Sequence, residues 1–174
     1  MEGLLSADIK KALEGIISLC FYNNRMFDRM VSILSVTFVM PQTGSIIHHN
    51  LAHLYPQLAD VISDYMDDRN CTTIYGSTPV GDQVYDSPLD CLNYMLELNL
   101  KLETTTKDAI KVADSAGDYT TKVFLDGFLR SLISVTSNLL LLVDKMYMYG
   151  NNKTGWMKFD HDIEDFSFKG DYVD

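Results

Sequence analysis

The sequence predicts an all-α protein built as a four-helix bundle. Four long segments carry apolar residues at helical spacing, and residues that favour turns are confined to the connections between them. Only the connection between the second and third helices is long. One long crossover at that place makes the second and third helices parallel, and it separates this arrangement from bundles that have two long crossovers.

The first two helices are separated by a break at residues 41–44. The first is predicted over residues 6–39, with Ser6 as its N-cap. The second is predicted over residues 45–70 and contains Pro56, which lacks a backbone N–H and would kink a helix interior. We therefore expect the second helix either to bend at Pro56 or to begin after it.

The last two helices have clear start and stop signals. Residues 71–86 contain two glycines and a proline and form the long crossover. Ser87-Pro88-Leu89-Asp90 then predicts a helix start, with serine as the cap, and this third helix extends to residue 115. A turn at residues 116–118 leads into the fourth helix, which ends near residue 149 before Gly150.

The C-terminal segment differs in composition from the rest of the chain. We expect residues 1–151 to form the bundle, and residues 152–174 to form an acidic, aromatic tail that packs on the bundle or on a neighbour. A partner interface is an equal alternative for its aromatic residues. They are Trp156, Phe159, Phe166, Phe168 and Tyr172.

Composition narrows the class of protein. A chain of 174 residues that is 47% hydrophobic can bury a core of its own. A net charge of −10, without a run of basic residues, disfavours nucleic-acid binding. Three cysteines without a Cys-x-x-Cys pair favour reduced thiols. Because no signal-peptide pattern and no uninterrupted apolar run of 18 residues is present, we expect a cytoplasmic protein without a membrane segment.

Four metal-ligating residues form a polar stripe on the second helix. His49, His53, Asp64 and Asp68 fall at roughly 0°, 40°, 60° and 100° around an α-helix. They are symmetric about a point between residues 58 and 59, so in an antiparallel pair of helices each histidine would face an aspartate of the other copy. Mixed nitrogen and oxygen ligands suit Fe, Zn or Mn. The alternative is that the aspartates are a solvated face of an acidic chain and the histidines merely open the helix.

On these residues the chain resembles the ferritin-like superfamily, and within it the Dps-type mini-ferritins. The resemblance covers roughly residues 6–149, and its best local matches are residues 49–69 and 87–90. Dps-type proteins hold iron between two-fold-related subunits, with a His and an Asp one turn apart in one chain and an Asp and a Glu one turn apart in the other.

The resemblance assigns His49 to the family's histidine, His53 to the position of its aspartate, Asp64 to the second aspartate and Asp68 to the position of the glutamate. The family carries a further histidine twelve residues before the first, and that position is Thr37 here.

The other ferritin pattern is a di-iron centre inside the bundle, built from glutamates and Glu-x-x-His on facing helices. This sequence lacks that pattern, because Asn99 occupies the expected glutamate position on the third helix and residues 130–134 of the fourth read Arg-Ser-Leu-Ile-Ser. We expect an apolar bundle centre, with Glu97 and Glu103 as exposed helix charges.

Two functions follow from the resemblance. The first is a mini-ferritin that binds Fe(II), or another divalent metal, at the two-fold site, oxidises it as a ferroxidase with peroxide or oxygen, and stores it in a homo-oligomeric shell, dodecameric by resemblance. The alternative is a ferritin-like scaffold or partner-binding oligomer whose ferroxidase centre has decayed, which Thr37, Asn99, Pro56 and the aromatic tail favour. A cytokine-like bundle is a third interpretation, disfavoured by the unpaired cysteines.

Overall fold

The computed structural model describes residues 3–168, in which it contains six α-helices, one π-helical turn and no strand. The elements are α1 (Ala7–Val36), α2 (Pro41–Ile47), the π segment (His48–Ala52), α3 (Leu54–Asp68), α4 (Pro88–Ser115), α5 (Tyr119–Tyr149) and α6 (Lys153–Phe166). α2, the π segment and α3 follow one another as a single irregular helix. With α1, α4 and α5 they form the predicted four-helix bundle.

The helices pack in the order that one long crossover requires. α1 lies against α3 and α4, and α4 lies against α5. α5 returns to α3, where Tyr65 stacks on Phe124 with ring centroids 3.9 Å apart. The crossover follows α1, because Ile74 N donates to Glu14 Oε1 (3.0 Å) and Arg29 Nε donates to the carbonyl of Gln83 (3.0 Å).

Local signals set most helix ends. Ser6 caps α1, Ser87 caps α4, and Gly150 ends α5 with a φ of 90°, as predicted. The predicted end of the first helix at residue 39 was wrong by three residues, because α1 ends at Val36 and Val39 has a φ of 57°. The predicted start of the second helix at residue 45 was also wrong, because Pro41 opens α2 at a position where its missing N–H costs nothing.

The segment expected as a tail contains α6, a helix that packs against the four-helix bundle. Its buried Asp160 accepts hydrogen bonds from the backbone N–H of Thr43 (2.6 Å) and of Gln42 (3.4 Å). These donors belong to the first turn of α2, where Met40 offers no side-chain cap. Phe159 is fully buried, and Trp156 packs edge to face on Phe38. Tyr172 lies outside the described residues.

α5 is long and apolar enough to cross a membrane, alone among the described helices. Core helices of bundles have the same length and composition, and α5 buries one face in this core. The buried residues of that face include Leu125, Phe128, Leu132, Val135, Leu139 and Leu142.

Candidate functional site

The π segment brings three histidines together. Its wide turn is closed by a hydrogen bond from His53 N to the carbonyl of His48, five residues earlier (3.1 Å). The ring centroids of His48 and His53 are consequently 4.3 Å apart, and the His49 ring lies 5.3 Å from the first and 5.8 Å from the second. We call these three residues the imidazole cluster.

Pro56 explains why the helix is irregular here. A proline at this position has no N–H for the carbonyl of Ala52, and its ring would crowd that carbonyl in a regular α-helix. The wide turn precedes the proline, and Asn24 of α1 supplies the missing donor, with its Nδ2 2.8 Å from the Ala52 oxygen. The expectation that the second helix begins after Pro56 was therefore wrong, because the chain continues as helix through a π turn on its N-terminal side.

Two of the histidines are hydrogen-bonded through one ring nitrogen only. His49 Nδ1 lies 2.7 Å from the carbonyl of Ser45, an acceptor, so Nδ1 carries the proton. His48 Nδ1 lies 3.2 Å from Asp28 Oδ1. In a neutral ring this pattern places the proton on Nδ1 and the lone pair on Nε2, which is the arrangement that metal-ligating histidines have in proteins. His48 was missed from the sequence, because only the π turn places it beside His53.

Asp64 and Asp68 do not join the imidazole cluster within one chain. Both are exposed on α3. Asp64 lies eleven positions beyond His53, which is about 16 Å along a helix. Among the described residues, no group of three or more His, Cys, Asp or Glu side chains is arranged to hold a metal ion. A site that uses His49, His53, Asp64 and Asp68 therefore requires a second copy and remains a prediction.

The bundle centre is polar, contrary to the apolar centre that we expected. Tyr55 of α3 donates its hydroxyl to Asn99 Oδ1 of α4 (3.1 Å). Asn99 Nδ2 donates to the carbonyl of Leu132 (3.1 Å) and to Thr136 Oγ1 (2.8 Å), both on α5. Thr136 in turn donates to Glu103 Oε1. The centre is thus a chain of hydrogen bonds across three helices.

Glu103 was expected to be exposed, and that expectation was wrong. It is 6% exposed, and its second carboxylate oxygen accepts from Lys107 Nζ (3.4 Å), whereas Glu97 is exposed as predicted. The neighbouring groups at the centre are neutral. Burial raises the pKa of the Tyr55 phenol well above its usual value, with a further contribution from the Cys20 thiol, and burial likewise raises the pKa of Cys20.

These residues do not fit a di-iron centre. Such a centre draws carboxylates from four helices and histidines from two. Among the described residues the buried carboxylates are Glu103 and Asp160, and Asp160 caps α2 at the end of the bundle. The remaining free acceptor at the centre is the neutral amide oxygen of Asn23, which is buried without a hydrogen-bond partner. The bundle centre therefore serves packing rather than metal binding.

Comparison with known proteins agrees with this architecture. A humanized archaeal ferritin superposes with a TM-score of 0.85 at 16% identity, over 95% of this chain and 99% of that one. An open pore ferritin from the archaeon Archaeoglobus fulgidus also superposes with a TM-score of 0.85 at 16% identity, over 91% of this chain and 97% of that one. At this identity the likeness establishes the fold, and no curated protein matches the sequence.

Neither of these two structures is a Dps-type mini-ferritin, so the predicted subclass is not supported by them. The family model of the ferritin-like domain matches residues 51–147, more than half of the chain. The matched stretch includes His53, Asp64 and Asp68 together with Asn99 of the bundle centre. On this match and this fold, the chain belongs to the ferritin-like family.

Proposed function

We propose that two copies of this chain bind Fe(II) between them at the exposed imidazole face, and that the protein oxidises and stores iron as a homo-oligomer. The observation that carries the proposal is the pair of histidines, His48 and His49, whose Nδ1 atoms are occupied by Asp28 and by the Ser45 carbonyl. Each leaves its Nε2 for a metal. Family membership supports iron as the metal.

The second copy supplies the carboxylates. In an antiparallel pair of α3 helices with a two-fold axis near residues 58 and 59, Gln57 of one copy faces Asp60 of the other, and the histidines face Asp64 and Asp68. Every exposed residue between His49 and Asp68 is polar. Burial of this face contributes little apolar area, so we expect metal to hold the two copies together.

The ligand set suits oxidation of Fe(II) in the Dps-type manner. Neutral imidazole nitrogens bind Fe(II), and the aspartates offset its charge and favour Fe(III) once it forms. Each Fe(II) gives one electron to peroxide or dioxygen that enters from solution. The missing histidine at Thr37 leaves a coordination position for water or for the oxidant. The dodecameric shell stays part of this proposal.

The first experiment titrates Fe(II) into metal-free protein under argon, follows native mass, and then admits oxygen and follows oxidation. We expect metal-dependent association and oxidation at least tenfold faster than without protein, and we expect both to be lost in the double variant His48→Ala/His49→Ala. His161→Ala is the matched control, because His161 is exposed on α6 with Asp162 as its partner. Unchanged oxidation in the double variant would overturn the proposal.

A mixing experiment tests whether the site is shared between chains. The variants His49→Ala/His53→Ala and Asp64→Asn/Asp68→Asn are each expected to be inactive alone. In a mixed dimer one of the two sites keeps its histidines from one chain and its aspartates from the other. An equal mixture should therefore recover about a quarter of the wild-type sites. No recovery after subunit exchange would contradict an inter-chain site.

A second candidate function is an oligomeric scaffold without iron chemistry. The specific observation in its favour is the hydrogen-bonded bundle centre, in which Asn99 occupies an expected glutamate position and bonds to Tyr55 and Thr136. This function predicts that neither native mass nor Tm changes on adding Fe(II), because a ligand that binds the folded state would raise Tm.

A further inference from the structure

α5 has an outward face that nothing in the described chain covers. Several large apolar residues on this face are exposed to solvent: Val123, Ile133, Leu140, Leu141, Tyr147 and Met148. Ile133 is 52% exposed, Leu140 45% and Leu141 38%. Between residues 130 and 148 they share one helix face with Arg130, Ser137 and Asp144, and the positions of this face alternate three and four residues apart, which is the spacing of a face that packs along another helix. Exposed apolar surface of this extent indicates an interaction site.

Two opposite charges lie on the same face at equal distances from its middle. Arg130 is seven residues before Ser137, and Asp144 is seven residues after it, and all three are exposed. Within residues 3–168 neither Arg130 nor Asp144 forms an ion pair. The two are fourteen positions apart, about 21 Å along the helix, so they cannot reach each other in one chain.

We propose that a second copy of this chain docks on the α5 face, with the two α5 helices antiparallel about a two-fold axis at Ser137. In this register Arg130 of each copy faces Asp144 of the other, and Ile133 faces Leu141. Ser137 meets its own copy at the axis, and Leu140 lies over Ser134, so small side chains let the helices approach closely.

Charge complementarity favours a second copy over other occupants. A two-fold interface must be self-complementary. On this face Arg130 and Asp144 lie at equal distances on either side of Ser137, so two copies related by a two-fold axis at Ser137 pair these opposite charges. A lipid surface is disfavoured, because Asp126 and Asp144 on this face would oppose anionic headgroups. Asp126 faces Met148 in the proposed register and has no charged counterpart.

This interface is separate from the α3 face that we propose for iron. It carries exposed apolar residues together with Arg130 and Asp144 and needs no metal, whereas the α3 face is polar and needs one. Two different two-fold interfaces on one chain generate an assembly larger than a dimer. The two proposals can therefore fail independently, because the α5 interface is tested by the mass of the metal-free protein.

The test is a charge swap followed by sedimentation of the metal-free protein. Arg130→Asp and Asp144→Arg alone each place like charges opposite one another, and we expect each to raise the dimer Kd at least tenfold. The double variant restores opposite charges and should return Kd to within about threefold of wild type, equivalent to about 0.7 kcal/mol. Asp126→Arg is the matched control and should change Kd far less.

Cross-linking fixes the register. Ser137→Cys places two thiols at the axis and should form a disulfide dimer under mild oxidation, whereas Ser134→Cys separates its copies by about 9 Å along the helices and should not. The native cysteines are all buried, so background cross-linking is low. A wild-type monomer at all concentrations, absence of charge-swap rescue, or equal cross-linking at both positions would overturn the proposal.

Discussion

His53 of the imidazole cluster and Tyr55 of the bundle centre are two positions apart in the sequence, yet their polar groups have opposite surroundings. At the centre, Tyr55, Asn99 and Thr136 bond to one another and to backbone, inside a shell of apolar residues. On the π segment, His48 and His49 each make their hydrogen bond through Nδ1, and within residues 3–168 no hydrogen bond of their Nε2 atoms is formed. A metal ligand needs an uncommitted donor, so the hydrogen-bonded centre contributes stability, and the surface cluster is the place where we propose metal binding.

The largest expected effect on stability comes from replacing one polar residue by leucine, first in the bundle centre and then in the imidazole cluster. Asn99→Leu removes the partner of Tyr55 and of Thr136, and leaves buried polar groups unpaired. We expect a loss of about 2–4 kcal/mol in the free energy of unfolding, measured in urea. His49→Leu loses one hydrogen bond in water and should change stability by no more than about 0.5 kcal/mol. Similar losses of stability at Asn99 and His49 would contradict the difference that we infer between the bundle centre and the imidazole cluster.

Tyr55→Phe gives an intermediate effect and a pH signature. At pH 7 the variant loses the bond to Asn99, at a cost of about 1–2 kcal/mol. Because the pKa of Tyr55 is raised in the folded state, its contribution is complete below the unfolded pKa of about 10 and is lost as pH rises beyond it. Wild type should therefore lose stability more steeply than the variant between pH 10 and 11.

The difference in slope should approach about 1.4 kcal/mol per pH unit, the value for one proton. Cys20 and Cys91 provide an internal control, because burial raises the pKa of both thiols, that of Cys91 to about 12, in wild type and variant alike. Urea unfolding at several pH values measures the slopes. Parallel curves would show that Tyr55 is solvated or ionised in the folded protein.

The sequence predicted those features that depend on neighbours along the chain. Ser87 marks the start of α4 and Gly150 marks the end of α5, and each signal involves only residues adjacent to it in the sequence. The four long helices follow from the periodicity of apolar residues. The polar centre could have been found from the same periodicity, because Asn99 and Glu103 fall on the inward face of α4 with Met95 and Thr106. We did not predict the polar centre, because glutamate is usually exposed and Glu103 was therefore assigned to the surface.

Other features depend on residues that are distant in sequence, and no local pattern indicates them. The π turn is accommodated by Asn24, whose side chain reaches Ala52 from another helix. The α2 cap comes from Asp160, more than a hundred positions away. For the iron site that we propose, the symmetry of the stripe was visible in the sequence, but the contact of His48 with Asp28 was not.

The smallest effect tests the link between the two regions. Asn24 of α1 satisfies the Ala52 carbonyl only because Pro56 has no N–H to offer it. We therefore expect Asn24→Ala to cost about 1 kcal/mol in wild type and close to nothing in a Pro56→Ala background, where the new backbone N–H takes over. Chemical unfolding of the four members of this cycle measures the coupling. If the two substitutions are additive, Pro56 is not the reason that Asn24 binds this turn, and the clustering of His48 with His53 must be attributed to their own packing.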